Sequence, residues 1–353
     1  MNIKIVTCEI EEQRFFIIDP QTFFDQKIDD YGAHDYFFNQ FTPIWDFFLN
    51  QSRFMTAGNL WRLALNFAYD WEEKNKKNNK RIHKGTPYYF WGVTCILNAD
   101  LENGFLLMHQ ALEEDKRTHE CDKPNTPAYS FVTLDHGNQK QFFKPKVEEV
   151  SRFVDEKLGA YRSRTEGVLT LADLKSKFLE NSALQDEVFY FVFTIFRLKK
   201  LIQEIEQSLK ENIFSTLLQA NTILDLCLIV ENTIRKQNIH KNKSLDGLTI
   251  RPLLEFLSSR ASLNLNRDNN LGRLCDDFER DFSNPLEQLL LSQYHFQGGT
   301  TLQPIEEDIA ITYGFRNFGA HKIEDQPIVY KNFDEISRRI LNALFFSIEK
   351  LYV

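Results

Sequence analysis

Between Val188 and Phe196 the chain reads VFYFVFTIF, apolar almost all the way round a helix, before RLKKLIQEIEQSL thins the apolar positions to one face. A helix apolar on several sides has to be buried on several sides, either inside one chain or across a dimer. Four further helical runs follow it: NTILDLCLIVENTIRK, LTIRPLLEFLSS, LGRLCDDFERDFSNPLEQLLLSQ and PIEEDIAITYGFRNFGAH. The last run, FDEISRRILNALFFSIEKL, carries Ile336, Ile340, Leu344 and Ile348 on one stripe and Asn332 as its candidate N-cap, with Glu335 three residues on. From Lys146 onward the expectation is therefore helix almost to the end, packed as a bundle.

A chain of 353 residues is long for one core and suits two domains. With 42% hydrophobic residues and 32 Phe it has ample apolar surface to bury. The formal charge of -8 means that any contact with nucleic acid has to come from a local basic patch. The five cysteines lack CxxC spacing and suit a reducing cytoplasm, where the chain is expected to reside. Glu9, Glu11 and Glu12 interrupt the start where a signal peptide would be apolar. No later segment is expected to stay apolar for the roughly 20 residues of a spanning helix, so no membrane partner is expected either.

The N-terminal part predicts a short β-like start, IKIV and RFFIID, followed by helices. From Tyr36 to Trp71 the aromatic spacing predicts two helices with a break near Thr56 to Gly58. The basic run KNKKNNKRIHKG, Lys74 to Gly85, reads as a solvated loop, with phosphate contact as its sharper alternative. Two helical runs joined at Asn98 to Asp100 then resemble a tetratricopeptide-type pair, Gly92, Gly104 and Ala111 supplying small residues for close packing. A loop-dominated excursion is expected from His119 to Pro145. Its His119, Cys121 and His136 lack a fourth ligand, so no metal is assigned there, and no cofactor pattern occurs anywhere.

One stretch carries candidate chemistry. In ITYGFRNFGAHKI, Arg316, Asn317 and His321 gather around Gly319 and Ala320 at the end of an apolar run. On α-helical geometry residues five apart lie about 140° apart, so Arg316 and His321 can line one polar cleft while Phe315, Phe318 and Ala320 face a core. Gly319 would admit a close backbone approach. The same spacing in Arg235 and His240 of RKQNIH runs into polar sequence and reads as surface. A purely structural reading has Arg316 capping the helix C-terminus with His321 packed beside it.

The stretch RNFGAH resembles the R-N-x-x-x-H signature of the HEPN superfamily, and LDLCLIVENTIRK, with Glu231 and Arg235 four apart, looks like that family's acidic-basic first helix. The resemblance covers about the last 140 residues and implies a HEPN-like domain (211–353), set in a mainly α protein after an N-terminal helical module (1–165) and long connecting helices (166–210) that it does not reach. It also implies metal-independent cleavage of RNA with a 2′,3′-cyclic phosphate product and no cofactor. In that scheme His321 is general acid or base and Arg316 stabilises phosphoryl charge. Asn317 orients, Glu231 holds Arg316 by an ion pair, and Tyr313 and Lys322 support. A homodimer through the C-terminal bundle, a protein or small-molecule partner for the N-terminal module, and a setting in bacterial antiviral defence, CRISPR-associated systems or toxin-antitoxin pairs complete the expectation. The rivals are a non-catalytic module binding RNA, a nucleotide or a protein, and a helical scaffold.

Overall fold

A computed structural model describes residues 4–207, 213–237, 250–266, 269–296, 301–319 and 327–353. The fold is mainly α, with one two-stranded antiparallel sheet among the described residues. The chain divides into two compact units, Met1–Val147 and Glu148–Val353.

In the first unit β1 (Ile5–Ile10) pairs with β2 (Gln13–Ile18) through a two-residue turn at Glu11 and Glu12, both with positive φ. Such a turn favours Asn and Gly. Here Glu11 is instead tied down, accepting from Thr56 Oγ1 at 2.5 Å and from Arg53. Helices α1 (Pro20–Lys27), α2 (Tyr31–Asn39), α3 (Thr42–Asn50) and α4 (Phe54–Lys74) follow. The break expected near Thr56 to Gly58 falls instead at Gln51 to Arg53. Gly58 lies inside α4, where a Cβ would sit 3.3 Å from the Trp91 indole, so its smallness serves packing and not chain reversal.

α5 (Gly85–Leu97) and α6 (Leu101–His119) form the expected antiparallel pair, turned at Asn98 to Asp100. They cross at Gly92 and Gly104: a Cβ on Gly92 would meet the Gly104 carbonyl at 3.0 Å. Trp61 stacks on Phe90 at 4.6 Å, and Trp45 meets the same ring edge-on at 4.9 Å. Offset and edge-on aromatic pairs of this kind add about 0.5–1.5 kcal/mol each beyond the area buried. The basic run is only partly a solvated loop. Lys76 to Lys80 are exposed, whereas Ile82, His83 and Lys84 are buried, because Glu72 accepts from the Ile82 amide and the Lys84 ammonium, each at 2.6 Å. The excursion from His119 is shorter than expected, since α7 (Pro127–Val132) occupies it and α8 (Lys144–Thr165) begins before Pro145.

In the second unit the residues after Glu148 in α8 precede α9 (Leu171–Leu174), a π turn (Lys175–Leu179) and α10 (Gln185–Gln207). Val188, Phe191, Val192, Ile195 and Phe196 of α10 are all buried, which answers the apolar run. Then come α11 (Ile213–Lys236), α12 (Ile250–Arg260), α13 (Asn270–Arg280), α14 (Ser283–Leu290), α15 (Pro304–Gly314), a π turn (Phe315–Gly319), α16 (Pro327–Lys331) and α17 (Phe333–Tyr352).

α17 packs on α11 and α15 through the expected stripe, with Ile336, Ile340, Leu344 and Ile348 fully enclosed. Asn332 makes no side-chain cap: its amide donates back to the Ile328 carbonyl at 2.8 Å, and Glu335 is drawn to Arg338 and Arg339. One described segment, Thr216–Lys236 of α11, is after all long and apolar enough to cross a membrane. Of its most apolar window, 61% is buried against the rest of the protein.

Candidate functional site

Two aromatic anchors set the direction of Arg316. α15 ends at Gly314, whose missing side chain makes room for Phe278: a Cβ there would lie 2.4 Å from that ring. Beyond it the chain widens into the π turn, in which hydrogen bonds span five residues and not four. Phe315 is fully buried, edge-on to Phe282 at 5.2 Å, and Phe318 stacks over Phe278 at 6.3 Å. With both phenyl groups held on α13 and the loop after it, Arg316, one of the two residues between them, turns to α11. The 140° offset of an α-helix therefore does not apply across Phe315–Gly319.

On α11, Glu231 is 5% exposed and receives Arg316 Nε at 2.5 Å on one oxygen. Its other oxygen accepts from Arg235 one turn on, whose second guanidinium nitrogen donates to Asn232 at 2.7 Å. Two guanidiniums thus converge on one carboxylate. The carboxylate is enclosed while the arginine side chains are 37% and 25% exposed, so part of each arginine reaches solvent. A planar guanidinium fixed at Nε keeps a defined orientation toward a phosphate or carboxylate.

Two described neighbours, Cys227 and Tyr313, are not placed as nucleophiles. Cys227, one turn before Glu231, is completely buried and donates to the Thr312 carbonyl at 3.7 Å; burial pushes its thiol up, which disfavours the thiolate. Tyr313, expected to support the site, lies in the core. Its hydroxyl is engaged with Cys275 and raised by burial, and Arg251 is the nearby cation that opposes the shift. It serves packing between α15 and α13 and not the Arg316 cluster.

Of the residues singled out in the sequence, Arg316 and Glu231 come together, with Arg235 added and Asn317 next on the same turn. His321 and Lys322 lie outside the described residues, as do Ala320 and His240. The role of Arg235 had a visible signal, the Glu231–Arg235 spacing of four that makes ion pairs on a helix.

Two other polar clusters had weak signals or none. One is the buried set around Arg339, an arginine inside an apolar stripe. The other is the His83 group of the first unit, hidden within a basic run. Among the described residues no group of three or more His, Cys, Asp or Glu is placed to hold a metal ion. No family model, curated protein or solved structure matches this chain.

Proposed function

We propose that the second unit is a ribonuclease of the HEPN kind, acting as a homodimer through its C-terminal helices. The observation that carries this reading is the Arg316–Glu231 pair: an arginine oriented on an irregular turn by a buried carboxylate, beside a second arginine. In the reaction the ribose 2′-oxygen bonds to the adjacent phosphorus as its proton leaves to a base. The bond from phosphorus to the 5′-oxygen then breaks, and that oxygen takes a proton from an acid. The products are a 2′,3′-cyclic phosphate and a 5′-hydroxyl. His321 exchanges the proton, its imidazole being suited to transfer near neutral pH. Arg316 meets the charge gathering on the non-bridging oxygens, and Asn317 orients it or the substrate. A second protomer supplies the second histidine that the acid and base steps require.

The test is incubation of the full-length protein with labelled total RNA and tRNA in EDTA, beside Arg316→Ala and His321→Ala variants confirmed as folded. Cleavage with cyclic phosphate ends by the wild type, lowered about 10²–10³-fold in Arg316→Ala, is the expected outcome. RNA binding that depends on Arg316 without any cleavage would move the assignment to a non-catalytic RNA-binding module. Identical behaviour of all three proteins would remove the site.

A further inference from the structure

The hairpin of the first unit leaves one edge unpaired. Its register sets Ile5 against Ile18, Thr7 against Phe16 and Glu9 against Arg14. In an antiparallel pair, residues that bond across the ladder alternate with residues whose N–H and C=O point away from it. The phase is fixed at both ends: the two-residue turn closes between Ile10 and Gln13, and the Asp19 amide donates to the Lys4 carbonyl at 2.8 Å. The even-numbered residues of β1 therefore bond to β2, and Ile5, Thr7 and Glu9 aim their N–H and C=O outward.

β2 follows the same alternation. Its Ile18 amide faces away from β1 and donates to Gln40 Oε1 at 2.7 Å, which closes that edge at one end. On β1 the edge is open: among the described residues no hydrogen bond from beyond the hairpin reaches Ile5, Thr7 or Glu9, and all three are exposed. A row of unpaired backbone groups is a template for an added strand. A proline, a bulge or an inward-pointing charge blunts many such edges, but β1 pairs with β2 without interruption and turns the apolar Cys8 and Ile10 inward.

The side chains select the strand. Ile5, Thr7 and Glu9 share the outer face of the sheet with Phe16, and Ile5 and Phe16 are 54% and 79% exposed. Residues laid beside Ile5 and Thr7 gain contact there if they are apolar or β-branched. The end nearest the turn is acidic. Glu11 is engaged by Arg53, whereas Glu9 and Glu12 enter no ion pair among the described residues, Glu9 facing Arg14 without one. The far end carries Lys4, its side chain 66% exposed. An antiparallel guest would bring its N-terminal half to the acids and its C-terminal half to Lys4. A second copy of β1 fits poorly, because in the two-fold register centred on Thr7 each Glu9 would face Ile5 of the other copy.

We propose that β1 takes up an extended segment of another protein as an antiparallel third strand, with a basic residue opposite Glu9 and apolar or β-branched residues opposite Thr7 and Ile5. The surface belongs to the first unit and does not depend on the RNA reading of Arg316.

Isothermal titration of the full chain with the peptide Lys-Arg-Thr-Val-Thr-Ile-Glu, capped at both ends, tests it. Laid antiparallel, its Arg lies opposite Glu9, its Val opposite Thr7 and its Ile opposite Ile5. A Kd of about 1 mM or tighter is expected. The same peptide N-methylated at Val cannot donate to the Thr7 carbonyl and should bind at least about tenfold more weakly. Thr7→Pro protein should match that loss, since proline removes an N–H that the β1–β2 ladder does not use. If Thr7→Pro does not fold, Glu9→Lys decides: it changes an exposed side chain and should weaken binding about threefold or more by setting like charges opposite each other. The inference is overturned if the peptide does not bind at that level, if N-methylation has no effect, or if Glu9→Lys binds as the wild type does. Self-association of the protein that Thr7→Pro or Glu9→Lys abolishes would make the occupant a second copy and overturn it as well.

Discussion

Arg339 and Arg316 stand in the same unit, each against carboxylates on neighbouring helices, yet their surroundings differ in kind. Arg339 is 2% exposed and saturated. It donates to Asp308 at 2.7 Å, Glu307 at 3.2 Å, Glu335 at 2.7 Å and the Leu290 carbonyl at 3.2 Å. Asn342 closes the remaining side of Asp308 at 2.8 Å, and Arg164 reaches the same two acids from α8. The set ties α8, α15 and α17 together. Arg316 has one buried carboxylate at Nε and 37% of its side chain in solvent. The same ion-pair chemistry is a clamp where every donor is used inside the protein, and a candidate binding group where part of the guanidinium faces out.

The sharpest way to break this comparison is to remove each arginine and measure unfolding in denaturant. Arg339→Ala is expected to cost about 3–5 kcal/mol, because Glu307 and Asp308 stay buried with only Arg164 left as a cationic partner. Arg316→Ala is expected to cost at most about 1 kcal/mol, in keeping with a partly exposed pair. Equal losses would show that both arginines are structural.

A buried group kept neutral should behave differently from both, and His34 provides it. Burial, aided by the nearby His83, pulls its folded-state value to about 4, from an ordinary 6.5. Between these values the unfolded chain takes up a proton that the folded chain refuses. The stability contributed is therefore full above about pH 6.5 and is lost as pH falls toward 4, by an amount on the order of 3 kcal/mol. Urea titrations across that range should show His34→Asn losing less stability than the wild type; parallel curves for the two proteins would remove His34 as the cause.

Gly314→Ala probes what aims Arg316. The added methyl meets Phe278 at 2.4 Å, and a loss of about 1–3 kcal/mol is expected, with RNA cleavage falling further than stability because the π turn shifts. Unaltered cleavage in a destabilised but folded variant would separate the turn from the site. The smallest effect belongs to Arg235→Ala. It should change stability by no more than about 0.5 kcal/mol and cleavage by about tenfold or less, since Arg316 keeps its own hold on Glu231.

Much of this was legible from residue order. The apolar run at Val188 to Phe196, the stripe on α17 and the Gly92–Gly104 crossing are local patterns whose period dictates helix and buried face. The wrong readings have a common origin in punctuation. Thr56 to Gly58 looked like a break and is a packing notch; Asn332 looked like a cap and bonds backward; the second half of KNKKNNKRIHKG looked solvated and is drawn inside by Glu72. In each case a distant partner outweighed a local preference.

Helix content, the α5–α6 pair and the closeness in sequence of Arg316 and Asn317 were set by the sequence alone, because periodicity and spacing act within a few turns. Only the tertiary structure could bring Arg316 to Glu231 across 85 residues, Arg339 to Asp308, or His83 to Asp35 and Asp115. Those meetings depend on which helix faces which, and that is decided by the apolar surfaces that close around the charges and not by the charges themselves.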